Sequence, residues 1–87
     1  MKHASHPAVV ARLKRAEGHL KSVIAMIEEG RDCLELGQQL HAVEKAIGNA
    51  KRELIHDHIE HCLGDGDSPG LDARSTLAEL KQLVKYL

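Results

Sequence analysis

The segment CLELGQQLHAVEKAIGNAKRELIHDHIEHCL, residues 33–63, decides the fold. Apolar side chains recur at Leu36, Leu40, Val43, Ile47, Ala50 and Leu54 in alternating steps of four and three, a near-heptad pattern that fits one face of a helix. No proline interrupts the segment. Gly37 and Gly48 each cost about 1 kcal/mol relative to alanine, and a close approach by a neighbouring helix would offset that cost. About 30 residues of helix span roughly 45 Å at 1.5 Å per residue. A rod of that length cannot enclose a core by itself.

The flanking sequence supplies shorter partners. Val9, Leu13, Ala16, Leu20, Val23, Ile24 and Ile27 repeat at helical spacing, which predicts a first helix over residues 7–29. Pro7 suits its first turn and Gly30 its C-terminal cap. Asp32 is placed to cap the long helix, with Glu35 three residues on as in a capping box. After Leu63 the turn-rich GDGDSPG, residues 64–70, reads as a linker. Leu77, Leu80, Val84 and Leu87 then mark a short third helix over residues 75–87, with Thr76 and Glu79 as its cap.

The expected class is therefore all-α, one domain over residues 1–87. A monomeric three-helix bundle would leave the long helix overhanging. An antiparallel dimer forming a four-helix bundle buries the excess.

Composition narrows the function. The 87 residues include one Tyr and no Phe or Trp, so the core is aliphatic. No signal peptide is evident, and no apolar run reaches the ~18 residues of a membrane helix. That leads us to expect a cytoplasmic chain with reduced thiols. Charge is uneven. Residues 1–27 carry five basic residues against Glu17, and the remainder carries seven basic against twelve acidic residues. A basic face on an otherwise acidic chain fits a polyanion partner, although a solvated helix face has the same composition. No Ser/His/Asp set, carboxylate pair or phosphate-binding loop stands out, so an enzyme is not expected.

The chemistry concentrates at the end of the long helix, where His56, His58, His61 and Cys62 fall within ELIHDHIEHCL, residues 53–63. His58 and Cys62 are four residues apart and share one helix face. His56 and His61 point away from that face. Cys33 lies 25 residues before His58, roughly 37 Å along the same rod and beyond any shared coordination sphere. In an antiparallel dimer the Cys33 end of one chain lies beside the His58–Cys62 end of its mate, which predicts two equivalent inter-subunit sites about a centre near Ala46. Two thiolates and an imidazole suit trigonal Cu(I), or Ni(II), Co(II) or Zn(II) with an added ligand. If the first two helices turn about residue 31, level residues sum to about 62, so His3 and His6 fall level with His58 as additional donors. The same register sets Arg12 level with Ala50. Arg12, Lys14, Arg15, Lys51 and Arg52 then form one basic patch suited to DNA phosphates, without a helix-turn-helix signature.

RLKRAEGHL at 12–20, DCLELGQQLHAVEKAI at 32–47, DHIEHCL at 57–63 and the Cys-x24-His-x3-Cys spacing together resemble the CsoR/RcnR family of bacterial metal- and formaldehyde-sensing repressors. The resemblance covers most of the chain. It implies an all-α dimer assembling into a homotetramer that holds operator DNA, releases it on binding its effector, and so controls metal efflux or resistance genes. It implies Cu(I)-type ligands at Cys33, His58 and Cys62, DNA contacts at Arg12 and Arg52, and a role for Glu79 in linking the site to DNA release. Two departures shift the expected effector toward Ni(II) or Co(II). Asp32 stands where copper sensors often have Tyr, and the HASHP opening, residues 3–7, looks like nickel- and cobalt-responsive members. A thiol-based persulfide or formaldehyde sensor using Cys33 and Cys62 is the alternative. Formaldehyde sensors usually lack the second cysteine, and persulfide sensors lack the histidine at His58.

Overall fold

The computed structural model describes residues 6–64 and 73–87, with side chains for 6–60 and 74–87. Three α-helices follow in order, α1 (His6–Glu28), α2 (Cys33–Gly64) and α3 (Ala73–Leu83), with a 3₁₀ turn at Val84–Tyr86. The first two boundaries fall within one residue of those read from the sequence. The third does not. α3 starts three residues ahead of Thr76, so Thr76 lies inside the helix rather than capping it, and α-helical geometry stops at Leu83 rather than Leu87. Hydroxyl residues are tolerated in helix interiors as well as at caps, and the sequence signal at Thr76 does not distinguish the two. Of the linker, residues 65–70 lie outside the described residues, and Gly64 is the last residue of α2.

α1 and α2 form an antiparallel hairpin whose turn is fully specified. Gly30 adopts a φ of 78°, a left-handed backbone that costs any L side chain roughly 1–2 kcal/mol. That conformation lets Arg31 N donate to Met26 O and Gly30 N to Ile27 O, both at 3.1 Å. The two bonds are those of a Schellman motif and satisfy carbonyls left open at the end of α1. Asp32 Oδ1 then accepts from Glu35 N at 2.9 Å and caps α2. The Glu35 carboxylate turns to Arg31, whose Nη1 donates to it at 2.7 Å, while Arg31 Nε donates to Glu29 at 3.2 Å. The bond to Glu29, followed by the charge of Glu35, pushes the Arg31 guanidinium further above its ordinary pKa.

The hairpin buries one heptad series and exposes another. Val9, Ala16 and Val23 of α1 are buried with Val43, Ala50 and Ile55 of α2. Leu13, Leu20, Ile24 and Ile27 on α1, and Leu40, Ile47 and Leu54 on α2, remain between 38% and 50% exposed. The single apolar stripe read from each sequence segment is thus two adjacent seams. One closes the hairpin and the other faces outward along its length.

Gly37 and Gly48 do not mark a close helix crossing within the chain. Nothing lies within 4 Å of a Cβ added at Gly37, and at Gly48 only the Arg52 side chain does, at 3.5 Å. Gly48 instead leaves room for Arg52 to fold back along its own helix.

The chain is elongated, 55 × 23 × 15 Å, with a radius of gyration of 17.5 Å. A compact chain of this length would have one of roughly 12 Å. Its accessible surface is 6596 Å², against about 5,100 Å² for a compact monomer of 9.6 kDa. Among the described residues, no helix is long and apolar enough to cross a membrane.

Candidate metal centre and basic surface

Cys33 opens α2. Its side chain is exposed and its thiol is free of any disulfide. At this end the Schellman turn, the Asp32 cap and the Arg31 clasp fix where the helix begins, and so fix the thiol. His58 lies 25 residues later on the same unbroken helix, roughly 37 Å away at 1.5 Å per residue. One chain therefore does not bring Cys33 and His58 together. Among the described residues, no three His, Cys, Asp or Glu side chains converge as a metal site. Cys62 is four residues beyond His58 on α2, but its side chain, like that of His61, lies outside the described residues.

His58 is half-buried where α3 crosses α2. Its Nε2 sits 2.5 Å from Glu79 Oε1 on α3. A carboxylate only accepts hydrogen bonds, so in the neutral ring this pairing places the proton on Nε2 and the lone pair on Nδ1. The contact also joins the far end of α2 to α3. Of the other histidines, His56 Nε2 is 3.7 Å from Glu60 on the exposed side of α2. His6 is the first residue of α1 and half-buried. Because the hairpin is antiparallel, that start lies toward the His58 end of α2. His3 lies outside the described residues.

The basic residues of both helices are exposed: Arg12, Lys14 and Arg15 on α1, Lys51 and Arg52 on α2. Two are held by acceptors that sequence reasoning missed. Arg12 Nε pairs with Glu53 Oε2 at 2.8 Å across the hairpin. Arg52 Nη2 donates to Asn49 Oδ1 at 2.5 Å along α2. The first was accessible in principle, because the register that sets Arg12 level with Ala50 also sets it within a turn of Glu53. A second polar contact crosses the hairpin, where His19 Nε2 donates to Gln39 Oε1 at 2.6 Å.

Chain comparisons place this geometry in a known group. The model of a family described as a metal-sensitive transcriptional repressor matches residues 5–86. This chain belongs to that family.

Members of the metal-sensitive repressor family are transcriptional regulators, not enzymes. The chain is similar to the copper-sensing transcriptional repressor CsoR of Bacillus subtilis, 34% identical over 77 residues that cover 88% of this chain and 75% of that protein. It is similar also to CsoR of Mycobacterium ulcerans, 37% identical over 81 residues that cover 91% of this chain and 67% of that protein. Among solved structures, the nickel-responsive transcriptional regulator InrS superposes with a TM-score of 0.81 at 33% identity, covering 100% of this chain and 98% of that one. The all-α fold expected from the sequence is therefore the fold of this family, and the chain is a metal-sensing repressor within it.

Proposed function

We propose that residues 1–87 act as one unit, a cytoplasmic repressor that binds operator DNA without metal and releases it when Ni(II) or Co(II) binds, controlling metal efflux or resistance genes. The metal would be held between two antiparallel copies, by Cys33 of one and by His58 and Cys62 of the other, with His3 or His6 as a further nitrogen donor. The donor set fits such an ion, since borderline Ni(II) and Co(II) accept mixed thiolate and imidazole ligands. Cu(I) requires only the three donors and is the alternative effector. Likeness to a nickel-responsive regulator and to copper sensors supports both.

The observation that carries this reading is the His58–Glu79 contact. Imidazole ligands of metals commonly donate their other ring N–H to a carboxylate, which fixes the tautomer and raises the basicity of the ligating nitrogen. Glu79 supplies that carboxylate from α3, so a change at His58 is felt by a second helix. The outward apolar seam supports the dimer that the donor set requires. A bound metal would tie α2 of one copy to α2 of the other. Release of DNA requires only that the tied arrangement present Arg12, Lys14, Arg15, Lys51 and Arg52 less well to phosphate.

Titration of the metal-free protein with Ni(II), Co(II) and Cu(I), alone and in competition, tests the effector. Thiolate-to-metal absorption and DNA release that saturate together at one Ni(II) or Co(II) per subunit are expected. Release by Cu(I) alone would move the effector to copper. Release by persulfide or formaldehyde, with no response to any metal, would replace the reading with a thiol sensor.

A further inference from the structure

Among the described residues, the Arg12–Glu53 pair is the one ion pair in which a candidate DNA-facing cation is already engaged by an anion of the other helix. Glu53 follows Lys51 and Arg52 directly and lies amid the cationic patch. Its Oε2 is 2.8 Å from Arg12 Nε, with the Arg12 side chain 52% and the Glu53 side chain 34% exposed. A phosphate approaching Arg12 therefore meets a carboxylate at the same guanidinium. Nε–H is one arm of the fork through which arginine grips an oxyanion side-on, and Glu53 occupies that arm. Phosphate must either displace the carboxylate or bind end-on through the Nη atoms beside a like charge.

From this we propose that Glu53 is an internal competitor for Arg12 that lowers the affinity of the metal-free repressor for DNA. The inference rests on the reading that Arg12 contacts DNA. Its energetic scale suits tuning rather than blocking. Exposed ion pairs are weak and screened by salt, so DNA can displace Glu53 at a cost of about two- to fivefold in affinity for each Arg12 contact. A purely structural Glu53, one that only braces the hairpin, would give the opposite sign, since removing it would loosen the patch and weaken DNA binding. Because phosphate carries no sequence information, the competition acts alike on operator and random DNA.

The test measures binding of the metal-free full chain to labelled duplexes tiling the DNA upstream of its own gene, and to a random-sequence duplex, across a salt series. Wild type, Glu53→Gln, Glu53→Ala, Arg12→Ala and the Arg12→Ala/Glu53→Gln double variant are compared. Both Glu53 variants should bind about two- to fivefold tighter per contact on every duplex. Their affinity should also fall more steeply with salt, by up to about 0.9 in logarithmic slope for each phosphate newly neutralised. In the Arg12→Ala background the gain should vanish. Unchanged or weaker binding by Glu53→Gln and Glu53→Ala would overturn the proposal, as would an equal gain without Arg12. If Arg12→Ala alone binds as tightly as wild type, the DNA-facing reading of Arg12 fails and the competition falls with it.

Discussion

Cys33→Ala is expected to bind DNA as tightly as wild type without metal and to stay bound when metal is added. Coupling of 1–3 kcal/mol, typical of allosteric pairs, makes metal weaken DNA binding by about 5- to 150-fold. Without the Cys33 thiolate that factor should fall to about one. Cys33 is well suited to so clean a result. It sits at the extreme end of α2, exposed and in no disulfide, and far along the helix from the basic patch. The Schellman turn at Gly30, the Asp32 cap and the Arg31 clasp that define its position do not use the thiol. DNA titrations of the variant with and without Ni(II), Co(II) and Cu(I) check it. Wild-type release by Cys33→Ala would remove this residue from the site.

Ile47→Asp should dissociate the proposed dimer. Ile47 is 44% exposed on the outward seam, in heptad series with Leu40 and Leu54 and next to Ala46, where the two-fold axis of an antiparallel pair would pass. Burial of an isoleucine contributes about 1.5–3 kcal/mol. Symmetry counts the loss twice and would bring two carboxylates near each other. The dimer dissociation constant should rise on the order of 100-fold or more. Sedimentation should show a monomer, and metal and DNA binding should be lost together. An unchanged mass would mean that this seam is not the interface.

The long helix was legible because its pattern is unbroken and its ends carry strong local signals. Asp32 and Gly30 announce a cap and a stop whatever surrounds them. The division of the apolar stripe was less legible. Val9, Ala16 and Val23 face α2 while Leu13, Leu20 and Ile27 face outward, yet both series share the same heptad step. Periodicity gives the face of a helix, and only packing tells which part of that face meets its own chain. Thr76 misled because a hydroxyl three residues before an acid matches a capping box even inside a helix. Gly48 misled because the space it leaves is taken by Arg52 rather than by another backbone.

The candidate site was legible in its donors and in their impossible spacing along one rod. Glu79 came from a family resemblance, and its contact with His58 gives it a physical role that sequence spacing does not contain. Glu53 lay within a turn of the register that sets Arg12 level with Ala50 and went unread all the same, whereas the Asn49 contact depends on how Arg52 folds along its own helix, which a residue pattern does not encode.

The most direct test is complementation between two defective chains. A Cys33→Ala chain keeps His58 and Cys62, and a His58→Ala/Cys62→Ala chain keeps Cys33. A differentially tagged heterodimer of the two, purified and titrated with metal, should recover one complete site per dimer and half the wild-type stoichiometry, while each parent homodimer binds none tightly. A heterodimer that recovers no site would contradict assembly of the metal centre from opposite ends of two antiparallel chains.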